Sequence, residues 1–174
     1  MENVTTEKQP SLMATALKYG LIIGLVSITF NMISIALGDN PYVSSWRGFI
    51  GAGLTIAVVV WAHKDFKENG DGYMSYGQGL GISIISIFVS TILTLVFSYV
   101  YLTYVNTATW DEIWLKAVED MEAKGQSDAQ IEMGVEWGKK LFYIIFPVIG
   151  VFFGIVIGLI VSIFTQKKRP EQAF

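Results

Sequence analysis

Residues 147–158 read PVIGVFFGIVIG, with glycine at every fourth position: Gly150, Gly154 and Gly158. Glycine costs a helix in water about 1 kcal/mol against alanine, so three in register inside so apolar a run need a reason. The run sits in a longer apolar block, residues 141–164. A bilayer core about 30 Å thick is crossed by roughly 20 residues of helix. Lipid is as apolar as leucine, so helices within it associate by close backbone approach and hydrogen bonding, and glycine permits that approach. The row therefore reads as a packing face on a membrane-spanning helix.

Working outward, three more apolar stretches of this kind occur, giving spans at 12–37, 46–64 and 75–104, with the fourth inside a long helix over 127–165. Composition agrees. Of 174 residues, 52% are hydrophobic and 16% charged, with a mean hydropathy of +0.49; soluble domains carry about 25% charged residues. Trp46 and Trp61 flank the second, shortest block as interfacial aromatics do. The first block is longer than the roughly 7–15 apolar residues of a signal peptide and lacks an A-x-A site, so it is expected to be retained as a helix. The expected architecture is all-α: an integral membrane bundle of four transmembrane helices forming a single membrane domain.

Four crossings put both termini on one side. That side carries seven basic and six acidic residues, and the other five basic and nine acidic. With the short basic tail Lys167, Lys168 and Arg169 directly after the last span, the positive-inside rule predicts cytoplasmic termini. The connections at 38–41 (GDNP) and 69–72 (NGDG) are turn clusters. The third is long and carries helical signals of its own. Residues 109–112 (TWDE) fit a capping box, followed by Trp110, Ile113, Trp114, Ala117, Val118 and Met121 at helical spacing. This predicts an amphipathic helix over 109–124. Gly125 suits its C-terminus, and residues 127–130 (SDAQ) open the long helix with a second capping box. An extramembrane helical hairpin is thus expected between the third and fourth spans.

Chemistry-bearing residues are sparse. There is no cysteine, which removes disulfides, thiolate catalysis and Cys-based metal sites. The net charge of −3 offers no general basic surface for nucleic acid. The single histidine, His63, followed by Lys64 and Asp65 at the end of the second block, reads as an interfacial residue. No Ser–His pair, paired aspartates or zinc ligands are apparent within the apolar blocks. The acidic residues of the third connection fall on solvated helix faces, and residues 77–81 (GQGLG) lack the preceding strand of a nucleotide-binding loop. No catalytic, metal or cofactor residue is therefore assigned. No Asp, Glu, Lys or Arg lies deep in any block, which disfavours proton-coupled transport by one chain. Asn31 is the most polar residue inside a span, suited to an interhelical hydrogen bond, or to contact with a solute.

What recurs is a face of small, weakly polar residues on each helix. In the first span Gly20, Gly24, Ser27, Asn31 and Ser34 fall within about 80° at roughly 100° per residue. The second has Gly48, Gly51, Ala52, Thr55 and Ala62; the third Ser83, Ser86, Ser90, Thr94 and Ser98; the fourth the glycine row and Ser162. The row drifts around its helix, which suits a right-handed crossing. Its expected partner is the first span, where Gly20 and Gly24 repeat the spacing; a partner subunit is the alternative. Pro147 should kink the last helix by removing a backbone bond.

The passages HKDFKENGDGYMSYGQGLG (63–81) and AVEDMEAKGQSDAQIEMG (117–134), ahead of a glycine-bearing helix and a lysine tail, give the chain a recognisable look. It resembles the bacterial membrane family called domain of unknown function 4199 (DUF4199), from about residue 12 to residue 169. The resemblance implies four membrane helices with an acidic helical insertion and the inner membrane of a Gram-negative cell. It transfers no functional residue. The expected role is a non-enzymatic structural or accessory subunit of a membrane assembly. Its partners would be the lipid bilayer and other membrane proteins or further copies of itself. Trp110, Trp114 and Trp137 would form either a periplasmic docking surface or a membrane-surface anchor. The alternative is an oligomeric small-solute or ion transporter or channel, built around the hydroxyl face of the third span.

Overall fold

The computed structural model describes residues 10–169, which form five α-helices. These are α1 (Leu12–Ala36), α2 (Ser45–Glu68), α3 (Tyr76–Val100), α4 (Thr107–Ala123) and α5 (Asp128–Thr165), with a π-helical turn over Tyr101–Val105. No strand occurs among the described residues. Four segments are long and apolar enough to cross a membrane: Leu12–Ala36, Trp46–Glu68, Tyr76–Val105 and Asp128–Thr165. At 38 residues α5 is roughly 57 Å long, nearly twice a bilayer core, so it has several turns to spare beyond its apolar part.

The helix ends follow local chemistry. Ser75 and Gln78 form a reciprocal cap on α3: Gln78 N–H donates to Ser75 Oγ at 3.2 Å and Ser75 N–H to Gln78 Oε1 at 2.8 Å. At α5, Ser127 N–H donates to Gln130 Oε1 at 2.9 Å. α4 begins two residues before the position expected from its sequence. Asn106, not Thr109, caps it, with its Oδ1 accepting from Thr109 N–H at 3.3 Å. Between α4 and α5, Gly125 takes φ +73°, a left-handed conformation that other residues rarely adopt. α5 runs through Pro147 as one helix, although proline has no N–H to give the Tyr143 carbonyl.

α3 is the hub, packing most extensively on α1 and next on α5. A Cβ on Gly20 would lie 2.8 Å from the Ser86 carbonyl oxygen, and one on Gly24 2.7 Å from Leu93 Cδ2, so both glycines let the α1 backbone come close to α3. The Ser86 hydroxyl completes the contact by donating to the Ala16 carbonyl at 2.9 Å. Gly158 meets Ser83, and Gly154 meets Ile87, both on α3. The glycine row of α5 therefore packs on the third span, not on the first as expected. Both small-residue faces are taken by α3, which lies between α1 and α5.

α2 is attached differently. Apart from Arg47 in its first turn, its buried residues are Val58, Val59, Ala62, His63 and Phe66, all in its C-terminal half. Gly48 and Gly51 have nothing within 4 Å of an added Cβ, and neither has Gly150 on α5. The small face expected along α2 is thus not a packing face in its first half: no helix comes near enough to use it. The apolar core of Tyr19, Ile23, Val59, Phe66, Met74, Ile82, Ile87 and Val161 accordingly gathers toward one end of the bundle.

At that end the chain closes on itself. Met74 and Lys167 exchange two backbone hydrogen bonds of 3.0 and 2.8 Å, Lys18 pairs with Asp65 at 3.0 Å, and Arg169 pairs with Asp71. Both ends of the described chain therefore lie beside the turn joining α2 to α3. Outward-facing leucines, isoleucines and phenylalanines cover the flanks of all four long helices, among them Leu25, Phe49, Ile92 and Phe153.

Candidate functional sites

Two groupings concentrate polar or aromatic chemistry, one at each end of the bundle. The first surrounds His63, expected at an interface but found fully buried. In the penultimate turn of α2 it lies in line with Val59, Ala62 and Phe66, so helical geometry carries it inward with them. Its Nε2 is 2.9 Å from the Gly79 carbonyl and 3.0 Å from Ser83 Oγ on α3; its Nδ1 is 2.7 Å from Thr165 Oγ1 on α5. Gly79 makes room: a Cβ there would come within 3.3 Å of the imidazole, 3.1 Å of Ser162 Oγ and 3.0 Å of Met74 Cε.

The hydrogen bonds assign the tautomer. A carbonyl only accepts, so Nε2 carries the proton and Nδ1 accepts from the Thr165 hydroxyl. A serine–histidine pair, absent from the linear pattern, is thereby assembled across twenty residues of sequence. With its proton on Nε2, however, His63 presents a donor to Ser83 rather than the lone pair a general base needs. The Ser83 hydroxyl can itself donate to Gly79 at 2.9 Å. This arrangement clamps three helices together at one point. Lys67 adds a further strap, donating to the Thr165 carbonyl at 2.8 Å. The described residues hold no group of three or more His, Asp or Glu side chains suited to a metal ion.

The second grouping lies at the opposite end. The α1–α2 connection reaches across to the start of α4 and the end of α3: Asn40 Nδ2 donates to Glu112 Oε2 at 3.0 Å, and the Tyr42 hydroxyl is 2.9 Å from Ser98 Oγ. Burial pushes the Tyr42 phenol above its ordinary value, against the opposing effect of Ser98. Arg47 is buried beside Asp39, with a 2.5 Å contact, and its guanidinium lies 4.6 Å from the Trp46 ring centroid. The Ser44 hydroxyl, and after it Arg47, hold the Asp39 carboxyl below the usual carboxylate range.

Next to this connection is an aromatic cluster where α4 meets α5. Trp110 stacks on Tyr143 with centroids 5.8 Å apart and rings 1° from parallel, and it meets Phe142 edge-on at 5.0 Å. Trp114 covers Gly138, where a Cβ would lie 2.6 Å from its ring, and Met121 covers Gly134. Trp110 and Trp114 are therefore turned toward α5 and half-buried, whereas Trp137 is 55% exposed. The three tryptophans expected to share one surface do not. Helical spacing shows that Trp110, Trp114 and Met121 share a face, but not that glycines on α5 would receive it.

The remaining small residues are dispersed. Ser90 is buried and donates to the Ile87 carbonyl of its own helix at 2.8 Å. Ser27 and Asn31 are half-buried, and the Asn31 side chain makes no hydrogen bond among the described residues. The His63 clamp was missed because its members come from three helices. Only the phase of His63 with Val59 and Phe66 pointed inward.

No curated protein and no solved structure matches this chain. Residues 18–167, nearly all of the described structure, match the family described as "Protein of unknown function (DUF4199)". That match covers most of a chain with four long apolar helices, and the chain belongs to the DUF4199 family.

Proposed function

We propose that this protein crosses the inner membrane four times, with both termini in the cytoplasm, and serves as a non-enzymatic accessory subunit of a membrane assembly. The observation that carries the reading is the contrast between its two parts. Buried polar groups of the bundle such as His63, Ser83, Ser86 and Ser98 are hydrogen-bonded within the chain, while α4 and the first turns of α5 extend past the apolar section as an acidic helical hairpin. Residues 107–140 carry eight carboxylates against four lysines. Such a lobe is water-seeking, and the aromatic cluster at its base fixes it to the bundle.

A pore lined by the hydroxyl face of the third span fits less well. Ser83, Ser86 and Ser90 are buried, with hydrogen bonds inside the chain, so a pore would require them to exchange those partners for water. Gentle extraction from native membranes, followed by identification of co-purifying chains, tests the accessory role. A protein recovered alone counts against it. Ion or solute flux through liposomes holding the pure protein would favour the channel instead.

A further inference from the structure

The seam between α4 and α5 has an open side. Trp114 on Gly138 and Met121 on Gly134 bring the helices together along one line. One position further round each helix, they part. Half-buried Val118 of α4 and Ile131 and Val135 of α5, with the exposed Leu115 beside them, line a shallow, open groove made of two adjoining depressions of about 620 and 480 Å3. The depressions share Val118, Val135 and Lys139, so they form one trough. From Asp111 to Glu122 it follows α4 for roughly 16 Å, about three helical turns.

Its rim is acidic. Asp111, Glu122, Asp128 and Glu132 line it and form no ion pair among the described residues, while Glu136 is held by Lys140 at 2.6 Å. Lys139 is the one cation in the lining. An apolar floor about three turns long, between carboxylates on both walls, complements one kind of partner. We propose that the groove docks a basic amphipathic helix of another protein. Its apolar stripe at i, i+3, i+4 and i+7 would lie on Val118 and Val135, with lysines or arginines beside Glu122 and Glu132. The proposal rests on the accessory-subunit reading and names the chemistry of the partner. A second copy does not supply such a helix, because α4 and the start of α5 are acidic and the basic tail lies at the far end of the bundle. An anionic lipid surface would be repelled by the same rim.

The test uses the full chain in nanodiscs of zwitterionic lipid and a fluorescent peptide of about 14 residues carrying a leucine stripe flanked by lysines. Its counterpart has glutamate in place of every lysine. Fluorescence polarisation should show saturable binding of the lysine peptide, at least about tenfold tighter than the glutamate peptide and than binding to empty discs, and weakened by salt. Glu122→Lys with Glu132→Lys should weaken it by about tenfold or more, whereas Glu119→Lys with Asp120→Lys, outside the groove, should leave it unchanged. Equal affinity for the Glu122/Glu132 double variant, equal binding of the glutamate peptide, or binding to empty discs alone overturns the proposal. So does a change in oligomeric state as the only effect of the double variant. A native partner still retained by the Glu122/Glu132 variant overturns the groove but leaves the accessory role standing. A parent protein that purifies alone overturns the accessory role itself.

Discussion

Gly154 and Gly150 stand one turn apart in the same row, yet the structure gives them opposite surroundings. A Cβ at Gly154 would collide with Ile87 Cγ2 and lie within 3.1 Å of Ile87 Cβ, whereas a Cβ at Gly150 has nothing within 4 Å. Ile87 is 5% exposed, and the atoms in the way belong to a β-branched side chain close to the α3 backbone, so they have little room to turn aside. Gly154→Leu must therefore move α5 away from α3. Overpacking of this kind costs about 1–3 kcal/mol, and in lipid no hydrophobic drive restores the contact. For a chain of this length, each kcal/mol corresponds to roughly 2–4 °C in Tm. Gly154→Leu should accordingly lower the melting temperature in detergent by about 2–12 °C. Gly150→Leu should leave it unchanged or raise it slightly, since leucine is the better helix former by nearly 1 kcal/mol. Thermal melting of both variants beside the parent is the measurement. If Gly150→Leu proves as damaging as Gly154→Leu, or Gly154→Leu is silent, then α5 does not lie on α3 through this face.

Other perturbations probe the remaining contacts. Ser86→Ala removes the hydroxyl that joins α3 to the Ala16 carbonyl and should cost about 0.6–1.7 kcal/mol, read as a small drop in Tm; no change would mean that α1 and α3 are held by glycine packing alone. Gly138→Leu would drive a side chain into the Trp114 ring and detach α4 from α5. Trypsin should then cut faster after Lys116 and Lys124 while the four long helices persist by circular dichroism; unaltered cleavage would show that α4 is held elsewhere. Asp39 is held below its ordinary pKa of 3.8, so its ionised form contributes stability above that value, and the contribution disappears as pH falls through the lower folded-state value. Asp39→Asn should flatten the fall in Tm between about pH 5 and about pH 3. An equal fall in parent and variant would remove Asp39 from the acid response.

The sequence made some of this structure legible by itself. Four apolar blocks, each about as long as a bilayer is thick, require helices, because a backbone in lipid must satisfy its own hydrogen bonds. Turn residues and capping patterns placed most helix ends within a few positions; α4 departs from its TWDE pattern because Asn106, three residues earlier, supplies the capping oxygen. The periodicity of Trp110, Trp114 and Met121 likewise identified one face of α4 without naming what it meets. Local propensity and hydropathy repeat along one helix at a time, so they can be read from one helix at a time.

Pairing cannot. Four helices each bore small residues, and nothing in their spacing distinguished Gly154 against Ile87 from Gly154 against Gly20. That choice depends on which helix lies between which, and α3 took both glycine faces because it stands between α1 and α5. The same placement turned His63 from the end of an apolar run into a clamp on Gly79, Ser83 and Thr165. It also left Gly48, Gly51 and Gly150 facing open space. Sequence determined the number of helices, their approximate limits and their apolar character. Tertiary structure decided which small residues make contact, because a glycine permits close approach but does not specify the partner.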